Sequence, residues 1–543
     1  MARGKLNGKA VVVREKHKSK AKISFVNLLQ ECGSRKKLSQ IKRLHKRIAK
    51  HDLMEDKLLS SLLIDAYGKC GAVQDARALF DGLQAPNCHS WNFMIRIHAQ
   101  HNQNTEALSL FKQMKELGFP QDKYTFSAAL GACSSPAYLN QGKVIHREVQ
   151  KQNLESEVVV GTSLINMYGK CGSLDQAWAV FDGMADKSAI SWTTMINVYT
   201  QYDHNRDALQ LFHQMHMEGA LPTLITYVSV LGACSNSKDI SSGKHVHLYI
   251  TCETDVFNIK AQNAIINLYA KCGKLDIANA LFIEAPDRNV ITWTTLITAY
   301  SQLGQGKQAL ELYFRMQRDQ VDPNEVTFVS VLDACSNMSD ISLGQIMHAQ
   351  ITETGLDDDT VLGTALLNLY GKCGHLHDAR SMFKRIKERN LVTWSAMIGV
   401  YAQHGYGKKA LALFSRLRHT GITPDSVTFI HILSACSRSG LVEEGRRFFN
   451  LMQEEYGIKP TVDHYGCMTD LFGRAGLLEE AHTYVESIPK ELSIVPWRTM
   501  LGASRIQGDR EHGEGAAERI LELDPTDTAP YIMLSSVYAA EAN

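Results

Sequence analysis

No Cys-x-x-Cys pair occurs in the 543 residues, although twelve cysteines are present. The paired spacing of zinc ribbons and thiol oxidoreductases is therefore missing. Long apolar runs are missing too. Near the start only Val11, Val12 and Val13 stand together, too few for a signal-peptide core, and no stretch approaches a bilayer span, so a soluble, unsecreted protein is expected. A surplus of either charge is lacking: 58 Lys and Arg stand against 57 Asp and Glu. Nothing global announces nucleic acid, and any such binding must come from local chemistry. Strand signals are absent, since β-branched residues such as Val290, Ile291 and Thr292 occur only as short runs leading into helical patterns. No Walker loop, nucleophile elbow or paired-carboxylate constellation stands out, so no catalytic residue, metal or cofactor is expected. His146-Arg147-Glu148 has the His-x-Glu form found in zinc deaminases, but the Pro-Cys-x-x-Cys that would complete the metal site does not follow.

What is present is enough apolar material for an extended core, 44% hydrophobic against 21% charged residues. One local bias stands out. Residues 1–50 hold sixteen Lys or Arg against Glu15 and Glu31, a basic arm able to meet phosphates or to serve in import. Residues 1–21 form a segment apart, flexible or targeting. They are rich in Lys, with Ser19 the sole serine, whereas a transit peptide is rich in Arg and Ser.

The dominant feature is an internal period. Trp91, Trp192, Trp293 and Trp394 are each 101 residues apart. Cys70, Cys171, Cys272 and Cys373 keep the same step, as do Cys32, Cys133, Cys234, Cys335 and Cys436, and also His45, His146, His247 and His348. Nine cysteines are thus repeat positions, and buried packing is the better account of them than a metal or disulfide site. Each period divides as 31 + 35 + 35 residues. The grid predicts fourteen units: 22–56, 57–87, 88–122, 123–157, 158–188, 189–223, 224–258, 259–289, 290–324, 325–359, 360–390, 391–425, 426–461 and 462–493.

Each unit reads as two helices. In 189–223, Trp192, Met195, Ile196 and Tyr199 form one stripe at i, i+3, i+4, i+7 and Ala208, Leu211, Phe212 and Met215 a second. Gly219 and Pro222 end that second helix. In 158–188, Ser173 followed by Gln176 predicts a capping box for the second helix. A single hairpin of this size buries too little to stand alone, so neighbours must stack on a shared core. The expected fold is all-α, a right-handed superhelical solenoid of helix-turn-helix repeats.

Helical hairpins of this length fit two large families, and the motifs separate them. The openings Ser90-Trp91-Asn92, Ser191-Trp192-Thr193, Thr292-Trp293-Thr294 and Thr393-Trp394-Ser395, with the recurring Tyr-Gly-Lys-Cys-Gly, resemble the pentatricopeptide pattern; the tetratricopeptide signature does not appear in register. The alternation of 31- and 35-residue units resembles the plant subclass with long, standard and short motifs in triplets. Val495-Pro496-Trp497-Arg498-Thr499-Met500-Leu501 resembles the first extension motif of editing-associated members. Residues 494–543 are then an extension whose second motif is cut short, with no deaminase domain.

The resemblance implies single-stranded RNA read one base per unit by the fifth residue and the last. Such recognition of unstacked bases by two or three side chains per helical repeat is a mode of which this family is itself a known instance. Asp accepts from the imino donor of guanine or uracil, whereas a neutral Asn can donate to adenine or cytosine. In the family, Ser or Thr at the fifth position goes with purines and Asn with pyrimidines. Ser61 with Asn87 then implies adenine, Asn92 with Asp122 uracil, Thr162 with Ser188 a purine, and Asn263 with Asn289 cytosine. Thr294 with Asn324 and Thr364 with Asn390 imply adenine, Ser395 with Asp425 guanine, and Thr193 with Thr223 leaves its base open. The family reads from the 5′ side at its amino end, giving A-U-n-A-n-n-C-A-n-A-G for units 57 to 391. Val159, Ile190, Ile291, Val361 and Val392, at the second position, would pack between bases, where one unit has Lys260 instead. The long units carry Val26, Val228, Val329 and Ile430 at the fifth position and would space, Ser127 being the exception.

The implied function is site recognition in organellar RNA, foremost for C-to-U editing with a deaminase or other editing factor recruited through 494–543. The alternatives are RNA stabilisation, splicing or translation control and, in another class, a protein-binding scaffold. Mitochondrion or chloroplast is the implied location, the mitochondrion preferred.

Overall fold

The computed structural model describes residues 22–51, 53–253, 258–356, 359–489 and 494–541. The basic segment 1–21 lies outside the described residues. Two compact units divide at Lys274 and Leu275. Among the described residues every regular element is helical, and within each unit consecutive helices form antiparallel hairpins stacked on their neighbours. This is the stacked helix-turn-helix architecture expected from the period.

In the first unit the hairpins include Lys57–Lys69 with Val73–Asp81, Cys88–Gln100 with Asn104–Glu116, Val158–Lys170 with Leu174–Gly183, and Ala189–Gln201 with Asn205–Met217. Lys123–Ala132 and Leu224–Ser237 open the hairpins between them. In the second, Val290–Gln302 pairs with Gly306–Arg318, Thr360–Lys372 with Leu376–Arg385, and Leu391–Gln403 with Gly407–His419, while Glu325–Met338 and Ser426–Ser439 open the intervening hairpins. Within each unit, first helices pack against one another in succession, from Lys57–Lys69 to Ile259–Lys271 in the first and from Val290–Gln302 to Ile494–Gln507 in the second.

The periodic aromatics explain why the hairpins stack. Trp192 and Trp293 are fully buried, and each meets the edge of a phenylalanine from the preceding second helix, Phe181 at 4.8 Å and Phe282 at 4.6 Å between ring centroids. Such edge-to-face pairs add to the burial of the rings. Opposite them, Ala208 and Ala309 are fully buried, small enough to let the second helix lie close. The periodic histidines are latches: His45, His146, His247 and His348 bond through Nδ1 to Tyr67, Tyr168, Tyr269 and Tyr370 at 2.9, 2.8, 3.1 and 2.8 Å. Burial pushes Cys133, Cys234, Cys335 and Cys436 up to about 12, so these thiols stay protonated, as packing residues should.

The helix-to-helix turn places a residue in the left-handed region. At one periodic position Asn102, Asp203, Gly304 and Gly405 have φ of 58°, 59°, 75° and 73°, the residue types that tolerate it. The capping box expected from Ser173 and Gln176 does not form. Ser173 has ψ 71°, outside the extended range that aims a hydroxyl at the first free N–H groups, and makes no side-chain cap bond. The turn is closed by the backbone instead, Gly172 N–H to Gly169 O and Ser173 N–H to Tyr168 O, both 2.9 Å. The boxes lie at the starts of first helices, as in Asp122 with Thr125 and Asn324 with Thr327.

Candidate nucleic-acid interface

The residues expected to read bases fall at two defined places on the hairpin. Each last-position residue is the N-cap of the following first helix: Asn87, Asp122, Ser188, Thr223, Asn289, Asn324, Asn390 and Asp425 all have extended backbone and accept the N–H three residues on. Each fifth-position residue sits in the second turn of its own first helix, nearly buried except for the half-buried Thr162. The sequence pattern calls for Asn, Asp, Ser or Thr at the cap because only a short side-chain oxygen satisfies that orphan N–H.

Between the two lies a residue the sequence reading did not assign, the third-position hydroxyl of the following unit. In the first unit, Asn92 Nδ2 donates to Asp122 Oδ1 at 3.1 Å, and Thr125 Oγ1 donates to Asn92 Oδ1 at 2.7 Å. Ser61 Oγ lies 3.1 Å from Asn87 Oδ1 and 3.0 Å from Ser90 Oγ. Thr162 and Ser188 each lie 3.0 Å from Ser191 Oγ; Thr193 and Thr223 lie 2.7 and 3.0 Å from Thr226 Oγ1. In the second unit Thr294 lies 2.6 Å from Thr327 Oγ1, which donates to Asn324 Oδ1 at 2.9 Å. Thr364 and Asn390 are joined through Thr393 at 2.8 and 3.0 Å. In the last pair Thr428 donates to Asp425 Oδ1 at 2.7 Å, while Ser395 Oγ is buried with no hydrogen-bond partner. Asn263 and Asn289 belong one to each unit; within the second, Thr292 donates to Asn289 Oδ1 at 3.0 Å. The signal for these hydroxyls was in the recurrent hydroxyl-aromatic openings, Ser-Trp or Thr-Trp in four units and Thr-Phe or Thr-Tyr at Thr125, Thr226, Thr327 and Thr428.

Capping consumes one oxygen and leaves the other atom of the fork. Asn324 and Asn390 use Oδ1 for the cap, which turns Nδ2 outward as a donor; Asp425 uses Oδ1 and turns out Oδ2, an acceptor. Asn87 differs, because its Nδ2 also donates to the Lys57 carbonyl at 3.1 Å.

The second-position side chains stand exposed beside this row. Val159, Ile190, Ile291, Val361 and Val392 are joined by Leu58, Tyr124 and Ile225 in the first unit and by Val326 and Val427 in the second, so the exposed stripe includes long units as well. At the long units' fifth position Val228, Val329 and Ile430 are half-buried, and Ser127 bonds Ser163 at 2.8 Å. In the first unit a groove beside Asn92 is lined also by Arg96, Tyr124, Ser127 and Lys170, which brings cations to the row. The His146-Arg147-Glu148 stretch is structural: His146 Nε2 meets Glu155 at 2.8 Å and Lys115 bonds Glu148 at 2.6 Å. Among the described residues no group of three His, Cys, Asp or Glu could hold a metal.

These features define a helical-repeat protein with an ordered row of polar pairs flanked by exposed aliphatics, and the comparisons place it. Repeats of the PPR repeat family match residues 86–135, 187–236, 288–337 and 389–438, and further PPR repeats match 60–87, 162–188, 263–290, 364–391 and 427–456. A chloroplastic pentatricopeptide repeat-containing protein of Arabidopsis thaliana is 35% identical over 95% of this chain and 64% of its own length. Another from the same plant is 32% identical over 95% of this chain and 84% of its own. A third, mitochondrial, is 33% identical over 95% and 59%. The chain belongs to the pentatricopeptide repeat proteins, and it spans about two thirds of the length of the first of these relatives. The fold is that of the pentatricopeptide repeat protein PPR10 from maize, crystallised with an 18-nt psaJ RNA element, at 18% identity and a TM-score of 0.51 over 95% of this chain and 89% of that one.

Proposed function

We propose that this chain binds single-stranded RNA of an organelle and selects its sequence through fifth- and last-position pairs in eight of the fourteen units spanning 22–493, the long units acting as spacers. The observation that carries the reading is the phase of the polar pairs: they recur at the same two positions beside exposed second-position side chains, and the caps Asn324, Asn390 and Asp425 turn one atom outward. A lone cap of this kind is ordinary helix chemistry. Repeated with exposed aliphatics alongside, it makes a row of shallow slots, each offering a stacking surface and a hydrogen-bonding edge, which is what unstacked bases require. Lys170 supplies positive charge for the backbone in a chain of nearly neutral total charge, while Arg96 beside it is paired with Asp65.

The proposed target is A-U-n-A-n-n-C-A-n-A-G over units 57 to 391. The long-triplet subclass and the extension further support C-to-U editing with the deaminase supplied by another protein. Pro496 and Trp497 of that motif are buried in the helix Ile494–Gln507, which packs on Val462–Arg474, so the extension continues the stack. Names of relatives marked chloroplastic and mitochondrial support an organelle without choosing one. Binding of the full chain to the proposed tract and to a scrambled RNA tests the reading. Preference for the tract is expected; equal affinity rejects sequence-specific reading, and no binding to either RNA favours a protein-binding scaffold. Sequencing organellar transcripts from a deletion line tests editing: loss of conversion at a site preceded by the tract is expected, and unchanged conversion everywhere rejects it.

A further inference from the structure

The buried third-position hydroxyls belong to neither the stacking row nor the reading pairs, yet they touch both members of most pairs. The clearest case is Thr327, which is fully buried. A hydroxyl has one proton to give. Thr327 Oγ1 lies 2.9 Å from Asn324 Oδ1, an atom that can only accept, so its proton goes there. Thr294, 2.6 Å away on the other side, must then be the donor to Thr327. The result is a directed chain from Thr294 through Thr327 to Asn324. It leaves Thr294 Oγ1 with lone pairs only and holds the amide of Asn324 with Nδ2 outward. One acceptor beside one donor is the complement of adenine, which carries an amino donor beside an imino-type acceptor; guanine carries the reverse order on the same edge.

The last pair supplies an internal contrast. Thr428 donates to Asp425 as Thr327 does to Asn324, but Ser395 stays outside the network with its hydroxyl buried and unpartnered. There the carboxylate has no flip to be set, because both of its oxygens accept. The Asp122 pair keeps the link, Thr125 donating to Asn92 Oδ1 at 2.7 Å, so the break belongs to Ser395 and not to every carboxylate cap.

Resting on the RNA reading proposed above, we infer that Thr327 is a positioning residue for base selection: its hydroxyl sets the proton direction of Thr294 and, beside its own N–H, gives a second bond to the oxygen that fixes the amide face of Asn324, without meeting the base. The test uses the full chain with the proposed tract, with guanine in place of the eighth-position adenine, and with guanine in place of the first-position adenine. The wild-type chain should favour adenine at the eighth position by roughly tenfold, the order of one good base contact. Thr327→Val, which keeps the shape and removes the hydroxyl, should cut that preference to about twofold or less while the first-position preference, read by Ser61 and Asn87, stays as in wild type. Thr327→Ser should restore it. Thr327→Ala gives a second hydroxyl-free chain should the valine not pack, with the same expectation.

Undiminished eighth-position preference in Thr327→Val or Thr327→Ala overturns the inference, and so does an equal loss at both positions, which would mark a merely structural residue. A wild-type chain that prefers the tract over scrambled RNA but not adenine at the eighth position overturns it as well. Equal wild-type binding to tract and scrambled RNA instead rejects the RNA reading itself, and the inference with it.

Discussion

The hairpins at 189–223 and 290–324 lie one period apart and differ where it matters. Both bury a tryptophan against a phenylalanine, and both hand a fifth-position threonine to a buried threonine of the following helix. The first ends on Thr223, the second on Asn324, and either side chain caps the next helix through one oxygen. Thr223 has no second polar atom to offer, while Asn324 has an outward amide. The fold asks only for a cap acceptor; the remaining atom is unconstrained by packing and can vary with what is read. Scaffold and recognition are therefore separable within a single residue.

The largest break of this comparison is in what the two hairpins share. Trp293→Ala should cost about 3–5 kcal/mol, the usual loss for a fully buried large aromatic, and Trp192→Ala the same. Urea melts followed by circular dichroism would show it, and a cost under about 1 kcal/mol would mean that the ring pairs do not hold the stack. A smaller break lies in the preceding hairpin, where a Cβ built on Gly169 would sit 2.2 Å from Val198 Cγ2. Gly169→Ala should destabilise by about 1–3 kcal/mol through overpacking, and Gly169→Ala with Val198→Ala should recover most of it.

Exchanging the differing residue sharpens the contrast. Thr223→Asn should confer adenine preference on the fifth base of the tract, and Asn324→Asp should turn the eighth from adenine toward guanine, each by roughly 1–3 kcal/mol. Binding to single-base RNA variants measures both, and unchanged preference rejects these assignments. The least effect is pH-dependent. Burial lowers His247, in the hairpin after 189–223, below its ordinary 6.5. The unfolded chain therefore takes up the proton first, so the stability His247 contributes is whole above 6.5 and is lost as pH falls through its folded value. The urea midpoint should drop as the pH falls below the ordinary 6.5, and His247→Gln should flatten that part of the slope.

Much of the scaffold was legible because it repeats: a tryptophan every 101 residues can be seen without a structure. The cap at Ser173 was misread because Ser-x-x-Gln reports residue types but not ψ, and the tight turn after Gly172 set ψ. The second-position stripe was read short, without Leu58, Tyr124, Ile225, Val326 and Val427, since exposure cannot be told from apolar identity alone. The third-position hydroxyls were in plain view as part of a motif. Their role was hidden because their partners are about thirty residues away along the chain.

By itself the sequence determined the helical hairpin, its period and the residue types at the fifth and last positions, since these follow from local spacing and from what a helix end requires. Only the tertiary structure decided that Ser61, Ser90 and Asn87, or Thr294, Thr327 and Asn324, share one hydrogen-bonded network. Stacking brings successive first helices side by side, and a hydroxyl's proton direction depends on neighbours that only stacking supplies.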